Sequence, residues 1–137
     1  YLTVSENILV PFRISGDGKL PEGAKSRAAD LLDRAGIAEH AEKFPDQISQ
    51  GERQRVAMCR GLISSPEVIL ADEPTGNLDS KTGEDLVQLI ESLNADGTTI
   101  VVITHDGEMA ARFPRRVSLL DGRVVEDTRK TTLEPDS

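Results

Sequence analysis

Residues 48–79 of the chain read ISQGERQRVAMCRGLISSPEVILADEPTGNLD: a polar turn with a glycine, a helical segment, a short apolar run and two acids. The unbroken apolar run at 68–71 is typical of a strand buried on both faces, so Asp72 and Glu73 are expected at its C-terminal end. In an open α/β sheet that end is where ligands bind. Two carboxylates there would suit Mg²⁺ on substrate phosphates, with the second acid free to orient or deprotonate a water molecule.

Four motifs in and after this stretch resemble those of the ATP-binding cassette (ABC) ATPases. Residues 48–55 are similar to the signature motif, and residues 68–73 to the Walker B strand with its adjoining glutamate. Residues 76–79 resemble the D-loop, and residues 103–106 the switch-histidine segment. Chance rarely supplies four such motifs in order. The sequences DEPTGNLDS and VVITHD are most similar to the subfamily that serves lipoprotein-release, macrolide-export and cell-division permeases.

The resemblance implies an α/β fold. We expect a partial P-loop NTPase (RecA-like) core with a mostly parallel sheet, together with part of the ABC helical subdomain. By the same resemblance, residues 1–65 belong to the helical subdomain, with the signature motif at 48–55. Residues 66–127 belong to the ATPase core, and residues 128–137 form a polar tail.

Composition limits the classes of function. The 137 residues carry 24 acids against 16 lysines and arginines, for a formal net charge of -8. With no basic block or aromatic platform, nucleic-acid binding is disfavoured. The single cysteine fits a reducing compartment. No apolar run approaches the roughly 20 residues that span a bilayer, so we expect a cytoplasmic domain.

Capping residues and apolar spacing predict the helices of the first half. Residues 21–35 read as a helix with Pro21 in its first turn and Gly36 as its stop. Ser49 and Glu52 have the spacing of a capping box, which predicts the start of a second helix. A helix N-terminus with a glycine for close approach is also a ready anion site.

The second half reads as strand, helix and strand. Residues 80–93 form an amphipathic helix that Asp79 is placed to cap, and residues 99–103 form a second apolar strand. A βαβ unit brings the ends of its two parallel strands to one edge of the sheet, so His105 is expected beside Glu73. Farther on, the pair Asp121–Gly122 between apolar runs predicts a hairpin.

Three features invite functional interpretations that their surroundings do not support. The segment SGDGK at 15–19 lacks the glycine and the Ser or Thr of a phosphate loop, because Arg13 and Leu20 occupy those positions. His40 has no second ligand at metal-binding spacing. Cys59 falls on the apolar face of its helix, as a small core residue would.

The resemblance assigns roles to the candidate site residues. Glu73 is the general base or water-positioning group, and His105 contacts the γ-phosphate and orients the attacking water. Asp72 holds Mg²⁺ through its water shell. The remaining candidates bind nucleotide held by the opposite subunit: Ser49, Gln50, Gly51, Glu52 and Asp79. Gln50 departs from the more usual glycine of the signature motif.

Several parts of the family domain would, by alignment, precede Tyr1: the Walker A loop, an adenine-stacking aromatic and the Q-loop glutamine. Phosphoryl transfer depends mainly on positioning and charge stabilisation, much of it supplied by that loop. We therefore expect the intact protein to bind ATP and Mg²⁺ and to hydrolyse ATP, while this chain alone has little or no activity.

The resemblance also implies partners. These are a transmembrane permease subunit and a second ATPase subunit in a homodimer, with the domain peripheral on the inner face of the cell membrane. In the family, the strand before His105 pairs with the strand leading into Walker A. Without that neighbour, its bare apolar edge would be a template for non-native self-association of the chain.

Two alternatives stay open. One is a soluble ABC protein without a permease, serving DNA repair or translation, which co-purification with a membrane protein would argue against. The other is a non-catalytic remnant that only binds a partner. Glu73 and His105 argue against the second alternative, because a binding module needs neither.

Overall fold

A computed structural model describes residues 1–129. The helices are α1 (Val4–Ile8), α2 (Val10–Ile14), α3 (Ala24–Arg34), α4 (Gln50–Leu62), α5 (Ser80–Ala95) and α6 (Gly107–Ala111). The strands are β1 (Val68–Asp72), β2 (Thr99–Ile103), β3 (Arg115–Leu120) and β4 (Arg123–Arg129). Strand β4 continues to Arg129, and residues 130–137 of the predicted polar tail at 128–137 lie outside the described residues.

The first half of the chain is helical, and α1, α3 and α4 share one apolar core with α5. Short 3-10 turns at Ala38–His40 and Pro45–Gln47 join α3 to α4. The single cysteine, Cys59, is 1% exposed within this core. Burial raises the pKa of its thiol to about 12, so the interpretation of Cys59 as a core residue is confirmed.

The first turn of α3 differs from the prediction. The helix begins at Ala24 rather than Pro21, because Gly23 takes a left-handed conformation (φ 77°) that separates the proline turn from the helix. The predicted stop at Gly36 is confirmed. Gly36, at φ 69°, donates its N–H to Asp33, and Ile37 donates to Leu32, which closes a Schellman motif.

Strands β1 and β2 form the parallel pair that positions the candidate site. Their register pairs Val68 with Thr99 at one end and Asp72 with Ile103 at the other. Helix α5 connects them, and its apolar stripe is buried. Three inward side chains of the two strands pack against the core that contains this stripe: Ile69, Ile100 and Val102. Ala71, on the same face of β1, is also buried.

The prediction that β1 is buried on both faces is wrong for this chain. Along β1, Val68 is 51% exposed and Leu70 73%, and on β2 Val101 is 45% and Ile103 53% exposed. Alternate side chains of a strand point to opposite faces. Helix α5 covers one face, and none of residues 1–129 covers the other, which we call the outer face.

Strands β3 and β4 form the predicted hairpin. Asp121 (φ 49°) and Gly122 (φ 74°) both take left-handed conformations, as a type I′ turn requires. The antiparallel register shifts between Ser118 and Leu119, which marks a bulge. No helix within residues 1–129 is long and apolar enough to cross a membrane.

The outer face and the unpaired strand edges beside it lead us to predict concentration-dependent self-association of the 137-residue chain. Burying apolar surface stabilises association by about 25 cal/mol per Å². Sedimentation velocity over a concentration series should show larger species, and Leu70→Lys should reduce them. The control is Ile14→Lys, because Ile14 is 79% exposed on α2, away from the sheet. A monomer at all concentrations would refute the prediction.

Candidate active site

Glu73 and His105 meet at the edge where β1 and β2 end. The backbone N–H of Glu73 donates to the carbonyl of Ile103 at 2.8 Å, which continues the parallel pairing one residue past the strand. Beyond it, Oε1 of Glu73 lies 2.7 Å from Nδ1 of His105 and accepts the His105 backbone N–H at 3.1 Å. The structure therefore brings together the two residues predicted to be catalytic.

The backbone of Glu73 is strained. Its φ of 45° lies in the left-handed region, which costs a residue other than glycine about 1–3 kcal/mol. Its carbonyl accepts the N–H of Gly76 at 3.0 Å, so the chain turns sharply at the strand end. The turn directs the Glu73 carboxylate across to β2. Backbone strain at such a position is typical of functional sites.

The contact with Glu73 affects both the pKa of His105 and the position of its proton. The hydrogen bond that the imidazole donates to Glu73, followed by the charge of Glu73, raises the pKa of the His105 imidazole above its ordinary value. A carboxylate only accepts hydrogen bonds, so Nδ1 carries the proton of this contact. The His105 side chain is 88% exposed, which leaves Nε2 open to a ligand.

Asp72 presents a single carboxylate at the edge where β1 ends. It is exposed at the end of the outer face, and no hydrogen bond or ion pair to its carboxylate is found within residues 1–129. Its oxygens are therefore available to a divalent cation or to the water shell of one. In the same part of the chain, no group of three or more metal-ligating side chains exists. A cation here would depend on one carboxylate, water molecules and a phosphate ligand.

The signature-like turn forms the N-terminus of α4, a helix of 13 residues. Oγ of Ser49 accepts the N–H of Glu52 at 3.2 Å, and Oε2 of Glu52 accepts the N–H of Ser49 at 2.7 Å. The predicted capping box is thus confirmed. Besides accepting within the box, the hydroxyl of Ser49 carries one proton that it can donate. The backbone N–H of Ser49 lowers the pKa of Glu52.

Gly51 and Asp79 are linked through Thr82, a residue that the sequence analysis did not single out. Asp79 caps α5, as predicted: Oδ1 accepts the N–H of Thr82 at 2.9 Å, and Oδ2 accepts its hydroxyl at 2.7 Å. These hydrogen bonds lower the pKa of Asp79. A Cβ on Gly51 would lie 2.1 Å from Cγ2 of Thr82. Gly51 is buried, and the glycine is required for the packing of α4 against Thr82, so the space beside its Cα is taken by α5 and not open to a ligand.

The predicted site residues fall into two groups. One contains Glu73 and His105, with Asp72 adjacent in the chain. The other contains the Ser49 turn and Asp79, which meet at Thr82. No hydrogen bond joins the groups among the described residues. Gln50 is exposed beside Ser49. The roles assigned to all of these residues stay predictions.

Similarity to known proteins extends along nearly the whole chain. The sequence profile of the family described as ABC transporter matches residues 1–76. The macrolide export ATP-binding/permease protein MacB of Rhodospirillum rubrum is 45% identical over 126 residues, which are 92% of this chain and 19% of that protein. The lipoprotein-releasing system ATP-binding protein LolD of Colwellia psychrerythraea is 44% identical over 135 residues, 96% of this chain and 52% of that protein.

A solved structure shares the fold at similar sequence identity. It is the dimeric, post-hydrolysis state of the ATP-binding cassette MJ0796 bound to ADP and Pi. The two chains superpose with a TM-score of 0.79 at 39% identity, over 96% of this chain and 58% of the other. This chain therefore spans between 19% and 58% of the length of these relatives.

We predict that the pKa of His105, followed by NMR in the 137-residue chain, lies above 6.5 and falls towards that value in Glu73→Gln. A raised pKa means that the pair stabilises the fold fully below the unfolded value and that this contribution is lost as pH rises through the folded pKa. Asp72→Asn is the matched control, since Asp72 makes no contact with His105 in the described residues. A wild-type pKa at or below 6.5 would contradict the prediction.

A second prediction concerns Gly51. Gly51→Ala should lower the free energy of unfolding by about 1–3 kcal/mol, because the new methyl overlaps Thr82. Thr82→Ser removes Cγ2 but keeps the hydroxyl that Asp79 accepts, so it should relieve most of that loss in the double variant. Urea unfolding of the four proteins gives the coupling energy.

The matched control for Gly51 is Gly61→Ala, in the same helix. A Cβ at Gly61 would meet no atom within 4 Å, so this change should be neutral or stabilising. Equal losses at the two glycines, or no coupling between Gly51 and Thr82, would show that the overlap does not determine stability.

Proposed function

This chain belongs to the ABC transporter family, and on that premise we propose that it forms part of an ATP-hydrolysing subunit that drives a membrane permease. The observation that carries the proposal is the 2.7 Å contact between Glu73 and His105 at the carboxyl end of the parallel strands. That edge is where α/β sheets bind ligands. By the same proposal, residues 1–65 belong to the helical subdomain and residues 66–127 to the ATPase core.

Glu73 and His105 would act together on the water that attacks the γ-phosphate. The His105 backbone and ring both donate to Oε1 of Glu73, which holds this carboxylate in one orientation. A fixed carboxylate can position a water molecule or take its proton. The raised pKa of His105 favours the imidazolium, whose exposed Nε2–H would donate to a phosphate oxygen.

Asp72 would hold Mg²⁺ through its water shell. When bound to the phosphates of ATP, the cation neutralises charge that develops in phosphoryl transfer. The exposed carboxylate of Asp72, without a partner within residues 1–129, suits this role.

The Ser49 turn and Asp79 would serve the ATP held by a second subunit. Ser49 places its hydroxyl at the N-terminus of α4, and helix N-termini favour anions. Gly51, Gln50 and Glu52 complete the turn. No hydrogen bond joins this group to Glu73 or His105 among the described residues, and the similar cassette MJ0796 was solved as a dimer; both support a site shared between two copies.

The relatives suggest what the intact protein moves. Those named here serve macrolide export and lipoprotein release. We infer export or movement of a lipid-linked substrate, with the ATPase subunit on the inner face of the cell membrane beside its permease. Co-purification of the intact protein with a membrane-embedded subunit would support this assignment over a soluble ABC protein.

The catalytic roles are tested in the intact protein, because residues 1–137 contain no GxxxxGK[ST] loop. Glu73→Gln and His105→Ala should each reduce ATP turnover, by about 10²–10⁴ for loss of a general base. ATP binding, measured by equilibrium dialysis, should persist in both, because neither residue belongs to the Walker A cradle.

Glu108→Gln is the matched control for Glu73→Gln. It makes the same chemical change at an exposed position in α6, close to His105 in the chain. Its turnover should equal that of the wild type. Near-wild-type turnover in both Glu73→Gln and His105→Ala would refute the assignment.

A further inference from the structure

His40 lies against the signature-like turn. The residues around it in the sequence indicate no role for it. Its Nε2 is 3.0 Å from Oε1 of Glu52, across a sequence separation of 12 residues. The His40 side chain is 13% exposed. The imidazole thus comes from the 3-10 turn after α3 and reaches the first turn of α4.

The chemistry of this contact determines which nitrogen of His40 carries the proton. The pKa of Glu52 is lowered, first by the backbone N–H of Ser49, so its carboxylate is ionised and accepts hydrogen bonds only. Nε2 must therefore be the donor. Nδ1 is buried without a hydrogen-bond partner among the described residues. A second carboxylate, that of Glu39, lies 3.7 Å from Nε2 at the protein surface.

The two oxygens of Glu52 join His40 to Ser49. Oε1 accepts a hydrogen bond from Nε2 of His40, while Oε2 accepts one from the backbone N–H of Ser49 at 2.7 Å. The Ser49 hydroxyl in turn accepts from the Glu52 backbone. The rotamer of Glu52 is therefore held from both sides, and its carboxylate in turn holds the backbone N–H of Ser49.

The chain contains a second capping box, in which no histidine donates to the glutamate. At the start of α1, Thr3 and Glu6 exchange the same two hydrogen bonds, at 2.9 and 3.3 Å. No further side chain donates to Glu6 among the described residues. A capping box thus forms here without an imidazole, so the helix start at Ser49 does not by itself require His40.

Resting on the proposed function, we propose that His40 is a positioning residue for the phosphate-facing turn at Ser49, acting through Glu52. A phosphate at the Ser49 hydroxyl brings negative charge close to the Glu52 carboxylate. The hydrogen bond from His40 withdraws part of that charge and keeps Oε1 turned away from the ligand. Ser49 then keeps the orientation in which its hydroxyl donates to the phosphate.

The first test is ATP turnover by the intact protein with substitutions at His40. His40→Leu removes the donor, and kcat should fall about tenfold, the effect of one hydrogen bond to a charged group. KM for ATP should change by less than about twofold, because the Ser49 turn assists the transition state more than it binds the ground state. His40→Gln restores a donor and should recover most of kcat.

Arg27→Met is the matched control in this assay. Arg27 donates to the carbonyls of Leu62 and Ile63 at the opposite end of α4. The change removes a donor that braces the same helix without touching Ser49. Its kcat should stay at the wild-type value. A kcat in His40→Leu equal to that of the wild type, or no recovery in His40→Gln, would overturn the proposal.

The second test does not depend on activity. In the 137-residue chain, amide hydrogen exchange of Ser49 should become about tenfold faster in His40→Leu, because Glu52 loses its anchor. The Thr3 amide, in the box without an imidazole, is the internal control and should not change. Equal acceleration at both amides would reveal general destabilisation and overturn the proposal.

The two proposals fail in different ways. Wild-type turnover in both Glu73→Gln and His105→Ala would refute the proposed function, yet amide exchange at Ser49 would still decide whether His40 holds the turn. Unchanged exchange at Ser49 in His40→Leu would end the role of His40, even if Glu73→Gln abolished turnover.

Discussion

The parallel pairing of β1 with β2 is the constraint on which the candidate site depends. Its register sets Asp72 opposite Ile103, so both strands finish at one edge. The N–H of Glu73 extends the pairing to the carbonyl of Ile103, and the left-handed turn at Glu73 then sends its carboxylate towards β2. A slip of one residue would exchange the inward and outward side chains of a strand and separate Glu73 from His105.

Side-chain capping of helix N-termini recurs through the structure. Side chains of Thr3, Ser49, Asp79 and Asp106 each accept a backbone N–H in the first turn of a helix. Two of these caps, Ser49 and Asp79, are also the groups proposed to serve a nucleotide. Capping orients the oxygen of each residue without using all of its hydrogen-bonding capacity. The same side-chain atoms can thus stabilise the start of a helix and bind a ligand.

Sequence patterns predicted the secondary structure correctly where a feature depends on residues that are close together in the chain. The capping box at Ser49, the Gly36 stop and the Asp121–Gly122 turn depend on residues close together in the chain, and the structure contains all of them. The α3 start was misplaced because proline marks a turn as readily as a first helical residue. The apolar character of β1 was interpreted as burial on both faces. The apolar character of β1 shows only that both of its faces could be buried. Within the described residues α5 covers one of those faces, and the other stays exposed.

By itself the sequence determined the order of helices and strands, the caps, the family and the arrival of Glu73 and His105 at one sheet edge. Each follows from short-range periodicity or from motifs read along the chain. Only the tertiary structure decided that Thr82 occupies the space beside Gly51 and that His40 binds Glu52. These contacts join side chains from different elements, and no periodic pattern records them, because they depend on how the helices pack.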